Sequence, residues 1–146
     1  MSAHTPNTVE ESRNKAAIER SFSAWRDGTG SPFDLLAEHA VWTIVGRSVA
    51  SKTYESREAL MRDVIRPFNA RLSVPLRPDV RNLYADGDTV IVFFDAHGTA
   101  RDGQPYANTY AWFLTMRDGN VVKAIAFFDA LEFNELWRRV EPAVSP

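Results

Sequence analysis

The stretch GQPYANTYAWFLTMRDGNVVKAIAFFDALEF, residues 103–133, decides the fold. It predicts two long β-strands with a turn between them, because Asp118-Gly119 suits the two-residue loop of a hairpin. Side chains alternate along a strand, so an asparagine, two tyrosines and a tryptophan of the first strand share one face. So many side chains with polar ends are unusual on a strand face that packs in a hydrophobic core. The stretch therefore also indicates a functional site.

The residues before this stretch, from about Leu76, are also predicted to form β-strands, with turns at ADGD and at Asp102-Gly103. Helices are predicted over 8 to about 27, from Ser31, from Ser56 and after Asp129. Helices segregated before a run of hairpins predict an α+β fold, in which the helices cover one face of a curved antiparallel sheet.

Length and composition bound the class of protein. The 146 residues predict one domain, residues 8–139, with disordered tails at 1–7 and 142–146. The absence of cysteine and of a signal-like N-terminus indicates a cytoplasmic protein. A net charge of −2 argues against a nucleic-acid partner, and no apolar run approaches the ~20 residues of a membrane span.

Two-residue turns at both Asp-Gly pairs would fix the register of three strands. The predicted cross-strand pairs are His97 with Asn108, Asp95 with Tyr110, Tyr110 with Phe127 and Asn108 with Asp129. One face would then carry Phe93, Asp95, His97, Tyr106, Asn108, Tyr110, Trp112, Ile125, Phe127 and Asp129. The other face would be small and flat, with Phe94, Ala96, Ala107, Ala111, Phe113, Ala124, Ala126 and Phe128, and we expect a homodimer to form through it.

The predicted polar face suits a small-molecule site, in which an apolar cavity has a few polar groups at one end. Burial raises the pKa of a carboxyl, so Asp129 is the candidate proton acceptor and donor. His97 would support it, and Asn108 or Tyr110 would donate to a developing enolate oxygen. Structural roles stay open: Asp129 as a helix cap, His97 as a hydrogen-bonded sheet residue, Asp95 as an ion-pair partner, and the aromatic residues as core.

Other chemistries lack their sequence patterns. No His, Asp or Glu cluster has metal-ligand spacing, and the chain contains neither a glycine-rich phosphate loop nor a Gly-x-Ser-x-Gly elbow. We therefore expect no metal, nucleotide or acyl-serine chemistry.

Several short sequence stretches also occur in an order that is typical of one protein family. AWRDG closes the first helix, VWTIVG forms the first strand, TYESREAL opens the next helix, and GQPYANTYAWFLTMRDGNV and AFFDALEF follow. In this order the chain, over about residues 8–139, resembles the nuclear-transport-factor-2-like (NTF2-like) superfamily in its SnoaL-like, ketosteroid-isomerase-related branch. The resemblance implies a cone-shaped α+β barrel, with the sheet wrapped around the N-terminal helices, commonly as a homodimer. It also implies no required cofactor, and places Trp42 and Tyr54 near the mouth of the pocket.

The family includes isomerases, cyclases, hydrolases, dehydratases and non-catalytic modules. Where steroid isomerases carry catalytic groups, the matching positions here hold Ser21 or Phe22, Thr43 or Ile44, and Trp112. In epoxide hydrolases of the limonene type two aspartates act through an arginine; Asp129 could match one of them, but YAW at 110–112 lacks the Arg-x-Asp. SnoaL-like cyclases use an aspartate on a polyketide enolate, a role that resemblance would give to Asp129.

The leading hypothesis is a cofactor-free acid/base enzyme, an isomerase or cyclase, that acts on a small hydrophobic ligand. Its proposed catalytic residues are Asp129 and His97, and its proposed ligand-binding residues are Asn108, Tyr110, Trp112, Asp95, Tyr106, Phe127, Trp42 and Tyr54. The alternatives are a limonene-epoxide-hydrolase-like enzyme, a non-catalytic ligand-binding module, and a dimerisation module whose pocket has collapsed.

Overall fold

The computed structural model describes residues 8–144. Its elements, in chain order, are α1 (Thr8–Asp27), a 3₁₀ turn (Pro32–Leu35), β1 (Leu36–Ile44), β2 (Thr53–Tyr54), α2 (Arg57–Leu60), a π-helical turn (Met61–Ile65), α3 (Arg66–Asn69), β3 (Leu72–Asp86), β4 (Thr89–Ala100), β5 (Pro105–Arg117), β6 (Asn120–Phe128) and α4 (Ala130–Arg139).

The six strands form one curved sheet in the order β2-β1-β6-β5-β4-β3. The predicted α+β fold is confirmed, and so is the meander from β3 to β6. One detail differs, because β1 pairs with β6 in parallel, so the sheet is mixed and not wholly antiparallel. The predicted cone-like architecture is confirmed, since α1 and the α2–α3 segment cover the concave face of the curved sheet, although the sheet itself stays open.

The turn between β4 and β5 is longer by one residue than predicted. Ala100 pairs with Gln104, and Gly103 has φ +86 whereas Asp102 is not left-handed. A two-residue type I′ loop needs positive φ at both central residues, so Arg101, Asp102 and Gly103 form a three-residue loop instead. Every pair along β4 and β5 is therefore shifted by one residue from the predicted register.

The turn between β5 and β6 is as predicted, with positive φ at both Asp118 and Gly119. The register nevertheless changes two pairs later, since Met116 pairs with Val121 but Thr115 pairs with Lys123. The extra residue is a β-bulge at Val122. Beyond this bulge, the partners of β5 on β6 are again one residue away from the predicted ones.

The two slips exchange the faces of β4 and β6 but not that of β5. The concave face carries Val92, Phe94, Ala96, Tyr106, Asn108, Tyr110, Trp112, Ala124, Ala126 and Phe128, all of them buried. The convex face carries Phe93, Asp95, His97, Ala107, Thr109, Ala111, Phe113, Ile125 and Phe127. The prediction of one polar face shared by three strands was wrong, as was the composition of the predicted dimer face.

The helices largely follow the prediction. Ser31 and Ser56 both cap the segments that follow them, through bonds from Phe33 N–H and Ala59 N–H. The segment after Ser31 is only a 3₁₀ turn, because β1 already begins at Leu36. Before Pro67, which lacks an N–H, the helix widens into the π-helical turn and restarts as α3.

The described part of the chain ends in the predicted C-terminal tail. Residues 1–7 and 145–146 lie outside the described residues, so the prediction of disorder there stays a prediction. Within the predicted C-terminal tail, Ala143 N–H donates to Ala70 C=O at 2.7 Å, which ties the tail to the end of α3. Over residues 8–144, no helix is long and apolar enough to cross a membrane.

Candidate functional site

The concave face of the sheet encloses a cavity of about 410 Å³. Its floor is the sheet, and its walls are the loop after α1 and the α2–α3 segment. The lining residues are Trp25, Ser31, Phe33, Trp42, Ile44, Leu60, Met61, Val64, Ile65, Phe68, Asn69, Leu72, Pro75, Leu76, Arg77, Tyr110, Trp112, Ala126, Phe128 and Phe133. This volume is within the range of small-molecule sites, so the cavity has not collapsed.

An aromatic cluster forms one wall of the cavity. Trp112 on β5 stacks on Trp25 at 6.0 Å between ring centroids, and it meets Trp42 edge-on at 5.0 Å and Phe33 at 5.6 Å. Neither Trp42 nor Trp112 makes a hydrogen bond, and no fully buried side-chain nitrogen of the described residues lacks a partner. Both indole N–H groups therefore keep access to the open space of the cavity.

A buried polar network closes the other end of the cavity. The hydroxyls of Tyr106 and Tyr110 lie 2.8 Å apart, and Asn108 Nδ2 donates to Tyr106 Oη at 2.8 Å. Asn108 Nδ2 also donates to Asp129 C=O, while Asn108 Oδ1 accepts from the N–H groups of Asp129 and Thr109. These four bonds satisfy the amide completely and fix its orientation. The network thus joins β5 to the start of α4.

A count of hydrogens shows what this network presents to the cavity. The two phenols carry two O–H hydrogens, but only one lies between them, and no described group accepts the other. A spare hydrogen on Tyr106, which does not line the cavity, would be a buried donor without an acceptor. The favourable arrangement therefore has Tyr106 donating to Tyr110, which leaves the Tyr110 O–H free to donate into the cavity.

Burial keeps both phenols neutral. It raises the pKa of Tyr106 to about 12, against the opposing effect of its hydrogen bonds with Tyr110 and Asn108. Burial also raises the pKa of Tyr110 well above its usual value, and the neighbouring Tyr106 adds to the shift. Both groups are therefore protonated at neutral pH, and Tyr110 acts as a hydrogen-bond donor and not as a base.

The lining contains three further polar residues, none of which bonds to Tyr110. Ser31, Asn69 and Arg77 contribute a hydroxyl, an amide and a guanidinium. Among the described residues, no aspartate, glutamate, histidine or lysine lines the cavity. This set can hold acceptor oxygens and negative charge, but it lacks a side chain that would take up a proton at neutral pH.

Asp129 lies outside the cavity. Its exposed carboxylate accepts from Leu131 N–H at 3.0 Å and caps α4, which is the structural alternative noted for it. Only its backbone groups reach the network of Asn108. The structure therefore does not bring the Asp129 side chain together with Tyr110 or Trp112.

His97 and Asp95 lie on the convex face, because of the three-residue turn. His97 is exposed. Asp95 pairs with Arg81 at 2.7 Å and accepts from Thr109 Oγ1 at 2.7 Å, and these two bonds lower the pKa of its carboxyl. Neither residue lines the cavity, and the expected contacts with Asn108 and Tyr110 are absent.

The other predicted site residues fall into two groups, those at the cavity and those away from it. Trp42, Tyr110 and Trp112 line the cavity, and Tyr106 and Asn108 lie behind it in the network. Phe127 is on the convex face and 53% exposed, because of the bulge in β6. Tyr54 is buried beside Trp42 and donates to Ala50 C=O, and it does not line the cavity.

The sequence reasoning missed Arg77, a residue of the edge strand β3 that lines the cavity and whose guanidinium lies next to Gly28. It also missed Phe128, which takes the place predicted for Phe127. The sequence gives no signal for the bulge that moves Phe128 inward. An arginine between Leu76 and Pro78, in an otherwise apolar stretch, was the available signal for Arg77.

Comparison with known proteins agrees with this geometry. No curated protein matches the sequence. Among solved structures, Bal32a from a soil-derived mobile gene cassette matches with a TM-score of 0.71 at 21% identity, over 88% of this chain and 99% of that one.

Two further solved structures are similar. TerC, co-crystallised with polyporic acid, matches with a TM-score of 0.67 at 22% identity over 86% of this chain and 98% of that one. A putative SnoaL-like polyketide cyclase from Jannaschia sp. CCS1 matches with a TM-score of 0.67 at 18% identity, over 97% and 99%. The family model described as SnoaL-like domain matches residues 8–124, so this chain belongs to the SnoaL-like branch of the NTF2-like superfamily.

Proposed function

We propose that the protein binds a small, largely apolar carbonyl compound in its cavity and holds the carbonyl oxygen with the Tyr110 O–H. The observation that carries this proposal is the hydrogen count of the tyrosine pair, which leaves one donor for a ligand at the end of an apolar cavity. The relatives named above agree with it, since one is a putative SnoaL-like polyketide cyclase and another was co-crystallised with polyporic acid.

The chemistry that this arrangement supports is isomerisation or cyclisation of a ligand that enolises easily. Negative charge would develop on the carbonyl oxygen as a C–H bond breaks, and Tyr110 would stabilise it. Asn108 donates to Tyr106 and Tyr106 to Tyr110, so each bond polarises the next. Because no described lining residue is a base, the proton would pass to water, and the aromatic walls would fix the conformation of the ligand.

Binding of a matched pair of probes tests the donor. 2-Acetylnaphthalene has a carbonyl oxygen, and 2-isopropylnaphthalene has nearly the same shape without it. We expect calorimetry to show about fivefold to tenfold tighter binding of the ketone, the contribution of one neutral hydrogen bond. Tyr110→Phe should abolish this preference, and Tyr84→Phe, at an exposed tyrosine, should preserve it. Equal binding of both probes to the wild type would refute the proposed donor.

The acid/base hypothesis for Asp129 and His97 differs from this proposal in which variant should lose turnover. If Asp129 is the proton acceptor, Asp129→Asn should lower turnover of a converted substrate by several orders of magnitude, whereas Tyr110→Phe should have the smaller effect. We expect Asp129→Asn to leave turnover unchanged, because the exposed carboxylate caps α4. A loss in Asp129→Asn at unchanged stability would return Asp129 to the catalytic role.

We also propose that the protein forms a homodimer through the convex face. Cross-strand pairing brings Phe113 next to Ile125 and Ala111 next to Phe127. The three large side chains among them are 37% to 53% exposed. A contiguous apolar area of this kind on a sheet is typical of an interface, and in a two-fold dimer the same patch of both copies would meet.

Analytical ultracentrifugation tests the dimer with two charge-introducing variants. Phe127→Glu, in the apolar area, should yield a monomer because the interface would bury an unpaired charge in both copies. Leu131→Glu, at a 76% exposed residue of α4 outside that area, is the control and should sediment like the wild type. A monomeric wild type at micromolar concentration, or a dimeric Phe127→Glu variant, would exclude this interface.

A further inference from the structure

Arg77 is the one cation of the cavity lining among residues 8–144, and its charge is not neutralised by a carboxylate. No ion pair joins it to any described carboxylate. Its only hydrogen bond runs from Nη1 to Leu76 C=O at 3.3 Å, which is long for a guanidinium. Four of its five N–H hydrogens are therefore left for water or for a ligand.

The position of the guanidinium is set by its surroundings. Arg77 lies on the edge strand β3, and its Nη2 lies 3.1 Å from the place that a Cβ on Gly28 would take. Gly28 follows α1 directly and has φ +79, so a glycine here leaves room for the guanidinium at the C-terminal end of that helix. The partial negative charge of a helix C-terminus favours a cation there. The side chain is half-buried between β3 and this loop and lines the cavity.

The other arginines of the chain differ from Arg77 in their partners or their location. Arg66, Arg81 and Arg139 pair with carboxylates, and Arg71 donates to two backbone carbonyls. An unpaired guanidinium against an apolar cavity favours an anionic ligand, because the charges attract more strongly where water is scarce. The planar fork of N–H donors matches a carboxylate in particular.

Arg77 and Tyr110 lie far enough apart to hold two ends of one ligand. Tyr110 pairs with Phe94, which pairs with Val80, three residues along β3 from Arg77. Flat-sheet geometry puts the Cα atoms of Arg77 and Tyr110 roughly 14 Å apart, two strand spacings across and three residues along.

We infer that the ligand is an organic anion, an apolar body whose carboxylate binds Arg77 while its carbonyl oxygen binds Tyr110. This inference rests on the proposed function, since it uses the same cavity and the same donor. It narrows the substrate class from carbonyl compounds in general to apolar keto acids.

Two isosteric probes test the inference. 6-Acetyl-2-naphthoate carries a ketone and a carboxylate at opposite ends of a naphthalene, and 6-acetyl-2-naphthamide replaces only the carboxylate. We expect calorimetry to show the carboxylate binding about tenfold or more tighter than the amide, in line with hydrogen bonds to a charged group. The difference should shrink as salt is added, because salt screens the interaction of a half-exposed charge.

Variants separate the charge from the rest of the site. Arg77→Gln should lower the affinity for the carboxylate about tenfold or more and leave that for the amide unchanged. Arg77→Lys should retain part of the preference, since it keeps the charge without the fork. Arg117→Gln is the control, because it removes the same charge at the exposed end of β5, outside the cavity lining. Both positions are at least partly exposed, so we expect all three variants to have wild-type thermal melts.

The outcomes distinguish the inference from the proposed function. Equal affinities for carboxylate and amide, or an unchanged preference in Arg77→Gln, would overturn the inference while leaving ketone binding by Tyr110 intact. A preference for the carboxylate that Arg117→Gln also removes would overturn it too, since only net charge would then matter. Failure of both probes to bind the wild type would overturn the inference and the proposed function together.

Discussion

The raised pKa of Tyr106 makes a specific prediction about stability at high pH. In the unfolded chain a tyrosine ionises near pH ~10, whereas in the fold its pKa is about 12. Between these values the folded protein holds a proton that the unfolded chain has lost. The stabilisation is therefore complete below pH ~10 and is lost as the pH rises toward about 12.

The magnitude follows from the two ionisation states. At pH ~11 about nine-tenths of the unfolded tyrosine is ionised and only about one-tenth of the folded one, so the free energy of unfolding is lower than at pH ~8 by about 1 kcal/mol from this group. Because the Tyr106 side chain is only 2% exposed, solvent screening reduces this figure little. Tyr110 adds a further loss in the same direction.

Urea unfolding at pH 8 and pH 11 measures the effect. Tyr106→Phe should be less stable than the wild type at pH 8, since Asn108 loses an acceptor, but it should lose about 1 kcal/mol less on going to pH 11. Tyr84→Phe, at an exposed tyrosine, should lose as much as the wild type. Equal losses in wild type and Tyr106→Phe would refute the reasoning, because Tyr106 would then titrate alike in both states.

Three further variants test the structural roles of single residues by urea unfolding. Asp129→Ala should lower the free energy of unfolding by about 1 kcal/mol because α4 loses its cap, whereas Asp129→Asn should stay within about 0.5 kcal/mol; equal losses would contradict the cap. Gly98→Ala should cost about 1 to 3 kcal/mol, since its Cβ would lie 2.7 Å from Val74 C=O, and an unchanged stability would contradict that contact. Arg71→Met should cost about 2 kcal/mol because it leaves the buried carbonyl of Val140 and the partly buried carbonyl of Pro67 without a donor, and a stability equal to the wild type would show that water replaces the guanidinium.

Local patterns were enough to predict most of the elements, although a helix was expected where β1 begins at Leu36. The bounds of α1, the caps Ser31 and Ser56 and the turn at Asp118-Gly119 depend on neighbours in the chain, and all agree with the structure. The parallel pairing of β1 with β6 could not be predicted in this way. It joins strands more than 75 residues apart, and no local signal chooses the partner.

The register of the strands could not be predicted from the sequence for a different reason. Asp-Gly suits both a two-residue type I′ loop and a three-residue loop with glycine in the left-handed position. The chain uses the first at Asp118-Gly119 and the second at Asp102-Gly103. The bulge at Val122 likewise has no glycine or proline at or next to it that would have predicted it.

These slips change the chemistry of the site and not only its geometry. Alternation within one strand is independent of register, so the polar tips of Tyr106, Asn108 and Tyr110 were placed together correctly. Their cross-strand neighbours are Phe94, Ala96 and Phe128 where a carboxylate and an imidazole were expected. With apolar neighbours the two phenols stay protonated, and the Asn108 amide supports them as donors. The site therefore favours a hydrogen-bond donor where acid/base catalysis by Asp129 and His97 was expected, and any proton acceptor for this cavity has to come from the ligand or from water.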